Sequence, residues 1–144
     1  MEKSKERLER IVRQLRARGY RLTPQRMAIL QTVVRSHSHP TAEEIYQQVV
    51  ADFPMISPAT VYKTLNVLKA LDEVMELEVG GCSHYDGKVT PHPHLICMKC
   101  HTIIDLPPEA MPSMPEEALA ATGFLALWYY VEIYGLCPRC QKRE

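Results

Sequence analysis

Residues 84–105, HYDGKVTPHPHLICMKCHTIID, carry a dense set of potential metal ligands. Cys97 and Cys100 form a C-x2-C knuckle, and Cys137 and Cys140 form a second knuckle near the end of the chain. A structural Zn2+ ion takes four ligands in a tetrahedron, and two such knuckles supply four thiolates from two tight turns. The pair of knuckles therefore predicts a structural zinc site.

The same stretch predicts a second metal site. His92 and His94 are two residues apart, so an extended strand places both imidazoles on one face. Together with the carboxylates of Asp86 and Asp105 they form a mixed nitrogen and oxygen donor set, which suits Fe2+, Mn2+ or Zn2+. His39 completes a five-ligand set if the two halves of the chain fold together. For His39 and Asp105, an ordinary surface role remains an equal alternative on spacing alone.

Composition separates the chain into two parts. The net charge is zero, but residues 1–35 hold ten Lys or Arg and only three Asp or Glu. A basic beginning followed by an acidic, ligand-rich remainder suggests two modules with different tasks, although a solvated charged helix face explains the charge equally well. We find no signal-peptide pattern and no apolar run of membrane-spanning length, so we expect a cytoplasmic protein whose paired cysteines hold metal.

The first half of the sequence predicts four helices and a hairpin. The first helix is amphipathic and ends near Gly19. The other three helices begin at capping signals, which are Thr23-Pro24, Thr41 with Glu44, and Ser57-Pro58. Residues 74–85 alternate in polarity around Gly80-Gly81, as in a β-hairpin. This order describes a winged helix-turn-helix, with residues 58–71 as the recognition helix.

Polar side chains outside the apolar stripe of residues 58–71 predict contact with double-stranded DNA. Tyr62 has the alternative role of covering the edge of a small core, and each basic residue has the alternative of a solvated charge. We predict DNA contacts from six residues: Arg21, Arg26, Ser57, Thr60, Tyr62 and Lys63.

The second half predicts short strands on both sides of the first knuckle and a helix that ends at Gly123. Residues 124–134, FLALWYYVEIY, favour a further strand, with Trp128-Tyr129-Tyr130 in the core and at an interface. So small a sheet has few residues with which to bury its apolar strands, and we predict a homodimer through this half.

We therefore predict an α+β fold with two domains. Residues 1–84 form the winged helix-turn-helix, and residues 85–144 form a small β-rich domain for metal binding and dimerisation.

Seven segments of the sequence carry a resemblance to a known family. They are LTPQR (22–26), HPTAEEIY (39–46), ATVYKTL (59–65), YD (85–86), HPHLIC-x2-C (92–100), ID (104–105) and EIYGLC-x2-C (132–140). With these segments the chain resembles the ferric uptake regulator family of metal-sensing transcription repressors. The resemblance implies a dimeric repressor in which regulatory metal holds two winged-helix domains in an arrangement that fits a palindromic operator.

The resemblance also assigns ligands. Cys97, Cys100, Cys137 and Cys140 fall on the family's structural zinc ligands. The regulatory metal site falls on His39, Asp86, His92, His94 and Asp105. Tyr62 and the basic residue after it fall where family members touch DNA.

Three His with two Asp is the pattern of the peroxide-sensing branch of the family. In that branch Fe2+ reacts with H2O2, a ligand histidine is oxidised, the metal is lost and the operator is released. This implies that His39 and His92 are the histidines at risk. Members that maintain iron tend to have Glu in place of Asp86 and Asp105, and zinc-sensing members tend to supply a Cys near Asp86. Iron, manganese or zinc homeostasis is therefore the alternative, and Cys82 keeps zinc sensing open.

Two other classes of protein are alternatives to a repressor. A metallohydrolase would use a water bound to the His and Asp site, but five protein ligands leave little room for substrate. A zinc-stabilised protein-interaction module does not account for the basic first half or the polar face of residues 58–71. We therefore expect a protein that is not an enzyme.

Overall fold

A computed structural model describes residues 4–87 and 90–142. The chain forms two compact units, Met1–Val89 and Thr90–Glu144. The first unit contains helices and one hairpin: α1 (Ser4–Ala17), α2 (Pro24–Arg35), α3 (Ala42–Val50), α4 (Pro58–Ala70), β1 (Met75–Val79) and β2 (Cys82–Asp86). The second contains β3 (His94–Cys97), β4 (Ile103–Asp105), a 3-10 turn (Pro108–Ala110), α5 (Glu116–Thr122), β5 (Glu132–Gly135) and α6 (Pro138–Gln141). The predicted α+β class is confirmed.

The capping residues place the helix starts where the sequence predicts them. The Thr23 side chain accepts a hydrogen bond from the backbone N–H of Arg26 at 3.2 Å. Thr41 does the same for Glu44 at 3.1 Å, and Ser57 for Thr60 at 3.3 Å. Each cap satisfies one of the backbone N–H groups that the first turn of a helix leaves without an internal partner.

The core of the first unit is made by all four helices. Its fully buried side chains include Ile11 of α1, Ile29 and Leu30 of α2, Ile45 of α3 and Leu65 of α4. Each of these positions lies on the apolar stripe of its helix, so burial of that stripe holds the helices together.

A buried ion-pair network joins α1 to the turn after α4. Glu73 is only 4% exposed, and its carboxylate accepts from the guanidinium groups of Arg7 and Arg10. Arg7 also donates to the backbone carbonyl of Glu73 at 2.7 Å. A buried carboxylate needs such partners, because an unpaired charge in the protein interior is strongly unfavourable.

The β1–β2 hairpin is joined to α4 through Glu76. Its carboxylate accepts from Lys69 Nζ at 2.6 Å and from the Tyr85 hydroxyl at 3.2 Å. Burial and the neighbouring Glu76 carboxylate raise the pKa of Tyr85 to about 12.

The predicted domain boundary after residue 84 falls inside β2. Because Asp86 pairs with Met75 of β1, Asp86 belongs to the first unit.

In the second unit the strands form a sheet in the order β4-β3-β5. Strand β3 is antiparallel to β4 and parallel to β5, so it lies in the centre. Helix α5 ends at Gly123 as predicted, with the left-handed φ of 72° that favours glycine at this position.

The strand predicted for residues 124–134 is largely absent. Within the described part of the chain, β5 begins only at Glu132. Leu125 is 80% exposed and Trp128 is 67% exposed, so the placement of Trp128 in the core is wrong. A strand requires a neighbour for its backbone hydrogen bonds. The Val131 carbonyl accepts from the His94 N–H of β3 at 3.0 Å, but within the described residues no strand pairs with residues 124–130. No helix in residues 4–87 or 90–142 is long and apolar enough to cross a membrane.

Candidate metal centres

The sheet of the second unit brings the two cysteine knuckles together. Parallel pairing of β3 with β5 places Cys97 opposite Gly135, two residues before Cys137. Each knuckle is closed by a backbone hydrogen bond, from His101 N–H to the Cys97 carbonyl at 2.9 Å and from Cys140 N–H to the Cys137 carbonyl at 3.0 Å. The turns therefore direct all four thiols to one point.

The geometry of the four thiols fits a tetrahedral zinc ion. The Sγ atoms of Cys97, Cys100, Cys137 and Cys140 all lie within 4.8 Å of one another. Cys100 Sγ and Cys137 Sγ are 3.7 Å apart. Four Zn–S bonds of about 2.3 Å in a tetrahedron separate the sulfurs by about 3.8 Å. The predicted structural ligands are thus brought together at the spacing that zinc requires.

Hydrogen bonds prepare part of this site for thiolates. The Thr102 hydroxyl, 3.1 Å from Cys100 Sγ, lowers the pKa of that thiol to about 5. The hydrogen bond with Cys137, together with burial, raises the pKa of Cys140 to about 12. The surroundings therefore favour the thiolate at Cys100 and the thiol at Cys140, and zinc binding must displace the proton of Cys140.

His92, His94 and Asp105 converge within the second unit. The register of β3 and β4 pairs His94 with Asp105. The Nε2 atom of His92 is 3.0 Å from Asp105 Oδ1, and the Nε2 atom of His94 is 3.3 Å from the same oxygen. The two imidazole centroids are 4.5 Å apart, which confirms that both rings share a face, although β3 begins only at His94.

The donor set of this group calls for a cation. His92 Nδ1 lies 2.7 Å from the Thr90 carbonyl, and because a carbonyl only accepts, Nδ1 carries the proton of that bond. In the neutral ring Nε2 is then a lone pair, and it faces a carboxylate oxygen that is also an acceptor. Two acceptors at 3.0 Å repel unless a positive charge lies with them. A divalent ion is one charge that would satisfy both atoms, and a carbonyl that fixes the tautomer of a ligand histidine is the usual support of a metal site.

His39 and Asp86 lie together within the first unit. His39 Nε2 is 3.5 Å from Asp86 Oδ2. Asp86 is the last residue of β2, and the loop that carries His39 runs beside that strand, where Tyr85 N–H donates to the Pro40 carbonyl at 2.8 Å. The five predicted regulatory ligands are therefore divided, with two in the first unit and three in the second.

His84, for which the sequence predicts no role, contacts this loop. His84 Nδ1 lies 2.8 Å from the His39 carbonyl. The two residues are far apart in the chain, and no local pattern signals their contact.

The residues predicted to touch DNA occupy one region of the first unit. Tyr62 is 45% exposed, and Lys63 is exposed beside it on α4. Arg21, Arg26 and Lys63 contribute to the lining of a cavity of about 310 Å³ between α1, α2 and α4. Arg26 also donates to the Arg21 carbonyl at 2.6 Å. Basic side chains on one surface provide the positive field that phosphates need.

Ser57 and Thr60 also lie at the start of α4, with their hydroxyl oxygens 3.1 Å apart. Ser57 caps the helix, so its hydroxyl is already an acceptor for the Thr60 N–H. Cys82 is exposed on β2 in the first unit, apart from the four-cysteine group of the second.

Comparison with known proteins gives a consistent result. The model of the ferric uptake regulator family matches residues 17–134. The peroxide-responsive repressor PerR of Staphylococcus saprophyticus is 42% identical over 137 residues, which cover 94% of this chain and 93% of that protein. The structure of PerR from Streptococcus pyogenes has a TM-score of 0.54 at 32% identity, covering 93% of this chain and 92% of that one. The ferric uptake regulator Fur of Helicobacter pylori, described as having three functional metal-binding sites, has a TM-score of 0.80 at 24% identity over 99% of this chain and 97% of its own, a similarity of fold.

Proposed function

Because this chain belongs to the ferric uptake regulator family, we propose that a single regulatory metal, bound by His39, Asp86, His92, His94 and Asp105, controls its binding to DNA. The chain is a metal-dependent, peroxide-responsive transcription repressor. It uses structural Zn2+ and a regulatory Fe2+ or Mn2+ ion.

The observation that supports the regulatory site is that the Nε2 atoms of His92 and His94 both lie close to one carboxylate oxygen of Asp105. His39 and Asp86 supply a second His and Asp pair from the other unit. Imidazole and carboxylate donors without sulfur suit Fe2+ and Mn2+. A metal that takes ligands from both units would couple its own occupancy to the geometry of the DNA-binding unit.

Bound Fe2+ supplies the redox chemistry by which H2O2 adds one oxygen atom to a neighbouring imidazole and leaves as one water. We assign this modification to His39 or His92. An oxidised ring is a poorer nitrogen donor, so the site loses affinity for metal and the repressor releases its operator. The four-cysteine site keeps its zinc through this cycle, since its ligands are separate from the regulatory set.

Regulators of this family bind operator DNA and form dimers. We propose that this chain forms a homodimer on a palindromic double-stranded operator in the cytoplasm. The exposed apolar side chains between Phe124 and Leu136 are a surface that a second copy would cover. Helix α4 would enter the major groove with Tyr62 and Lys63. The DNA next to the groove would be contacted by the other predicted residues, which are Arg21, Arg26, Ser57 and Thr60.

Operator binding with and without Mn2+ tests this function. The duplex carries a palindromic operator of the staphylococcal relatives, and binding is measured by fluorescence anisotropy. We expect binding only with metal, and a loss of about tenfold in affinity for Lys63→Ala, with a shallower salt dependence because one phosphate contact is lost. Lys69→Ala is the matched control, since Lys69 lies on the same helix but is paired with Glu76.

Equal affinity for the operator with and without Mn2+ would contradict the proposed switch. Metal-dependent binding that H2O2 does not reverse in the Fe2+ form would favour the alternative, a repressor that maintains iron, manganese or zinc levels. The proteins that this chain matches are transcription regulators, and a hydrolase finds no support among them.

A further inference from the structure

The loop that carries His39 is attached to β2 by a backbone pairing and by one side-chain hydrogen bond. Thr41 forms an antiparallel bridge with His84. The backbone N–H of Tyr85 donates to the Pro40 carbonyl at 2.8 Å, and His84 Nδ1 lies 2.8 Å from the His39 carbonyl. We refer to residues 39–41 with 84–85 as the strap.

Within the strap, the pairing of Thr41 with His84 uses the backbone, and the bond from His84 Nδ1 uses a side chain. Pro40 has no N–H to give, so this part of the loop is held through its carbonyl groups. Since the His39 carbonyl can only accept, the imidazole of His84 must donate to it from Nδ1. His84 therefore fixes the backbone of the residue whose side chain is the proposed ligand.

The strap lies directly beside the ligand pair of the first unit. Two residues after His84, β2 ends at Asp86, and Asp86 Oδ2 is 3.5 Å from His39 Nε2. The same short strand thus carries one ligand itself and holds the backbone of the other. Rotation of the peptide at His39 would move its imidazole away from Asp86.

We propose that His84 is a positioning residue for the regulatory metal: its Nδ1–H holds the His39 carbonyl and so presents the His39 imidazole beside Asp86 before metal arrives. This rests on the proposed function, because it takes His39 and Asp86 as ligands. Groups that orient metal ligands typically change affinity by about 10- to 100-fold when they are removed. A loop that is already held loses less conformational entropy when metal binds.

The backbone contacts of the strap predict that the protein folds without His84. Thr41 and Tyr85 still join the loop to β2, and most of the buried core lies on the helices, with Tyr85 itself packed against it. His84→Leu removes the donor while keeping an apolar side chain of similar size. His84→Asn restores it, because the amide nitrogen of Asn occupies nearly the place of Nδ1. His37→Leu, in the same loop region but outside the strap, is the control.

Mn2+ affinity is measured by competition with a chelator in the zinc-loaded full chain, and Co2+ absorption reports the coordination geometry. We expect His84→Leu to weaken Mn2+ binding by about 10- to 100-fold and to change the Co2+ spectrum. His84→Asn and His37→Leu stay within about threefold of wild type. In the metal-free protein, hydrogen exchange of the Tyr85 amide is faster in His84→Leu. Zinc content and far-UV circular dichroism are unchanged.

Equal Mn2+ affinity in wild type and His84→Leu would overturn the proposal. So would a failure of His84→Asn to restore affinity, or a loss of zinc or helicity in His84→Leu, since His84 would then serve folding as a whole. The proposed function fails in a different way, through a wild-type chain that binds no Mn2+ or a His39→Ala variant that binds it normally.

Discussion

The four-cysteine group and the His and Asp group are both built for metal, but they are assembled differently. Cys97, Cys100, Cys137 and Cys140 belong to one unit, where two closed turns and one parallel strand pair direct them to a point. The His and Asp ligands are divided, with His39 and Asp86 in the first unit and the other three in the second.

This difference matches the two tasks of a metal-dependent repressor. A site made within one unit stabilises that unit and has no reason to exchange its ion. Under the proposed function the regulatory ion would take ligands from both units, so its occupancy would respond to conformation and conformation would respond to it. Stability and switching should then separate.

The largest expected effect is the loss of the structural site. Cys97→Ser leaves three thiolates, and because the binding free energy of structural zinc is folding free energy, of order 10 kcal/mol in small zinc domains, the second unit should unfold and the dimer dissociate. Elemental analysis measures the zinc content, and light scattering measures the molecular mass and so the dimer. Cys82→Ser, which changes the exposed cysteine of the first unit, should keep both. A folded, dimeric Cys97→Ser protein would contradict this assignment.

The first unit should be stabilised by side-chain pairing that does not involve zinc. Glu73→Gln removes the negative charge that Arg7 and Arg10 share, and we expect a loss of about 3 kcal/mol in unfolding free energy, because two guanidinium groups lose the buried carboxylate that balances them. Urea denaturation measures it, and zinc content should be unchanged. Glu78→Gln, at an exposed position of β1, is the control. Equal stability of the two variants would show that the network contributes nothing.

Asp105 should affect switching and leave stability unchanged. In Asp105→Asn both His92 and His94 lose the carboxylate that they face, and Mn2+ affinity should fall by on the order of 100-fold while zinc and fold remain. Titration calorimetry of the zinc-loaded protein checks this, with Asp52→Asn as the control. Loss of zinc along with Mn2+ affinity would mean that the two sites are not separate.

The smallest effect concerns the hairpin at alkaline pH. Tyr85 has its folded-state pKa raised to about 12, so the neutral phenol is favoured in the folded protein. Its contribution is therefore complete below the unfolded value of about 10 and is lost as pH rises towards 12. Unfolding free energy, measured in urea, should therefore fall between about pH 10 and about pH 12, and the part of this fall that Tyr85 causes should be missing in Tyr85→Phe. An identical pH dependence in Tyr85→Phe and Tyr20→Phe would refute it.

The helix starts and the cysteine turns could be predicted because each depends on a few neighbouring residues. Thr23, Thr41 and Ser57 determine helix starts through bonds that span three residues, and the C-x2-C spacing by itself closes a turn. Such features need no knowledge of the rest of the chain.

The predictions that were wrong concern structural features that depend on a partner far away in the sequence or outside the described residues. Residues 124–130 have strand-like composition, but a strand also needs a neighbour, and among the described residues no strand pairs with them. Asp86 belongs to the first unit because Met75 pairs with it, which spacing alone does not show. The contact of His84 with the His39 carbonyl joins residues 45 positions apart, beyond the reach of any periodicity.

The most direct test of the two-site account is mass spectrometry after a brief H2O2 pulse, with the Fe2+ and Mn2+ forms of the zinc-loaded protein side by side. We expect one added oxygen on His39 or His92 in the Fe2+ form alone, with zinc retained and the four zinc ligands unmodified: Cys97, Cys100, Cys137 and Cys140. Oxidised cysteines and lost zinc with intact histidines would contradict it, because the four-cysteine site would then be the sensor.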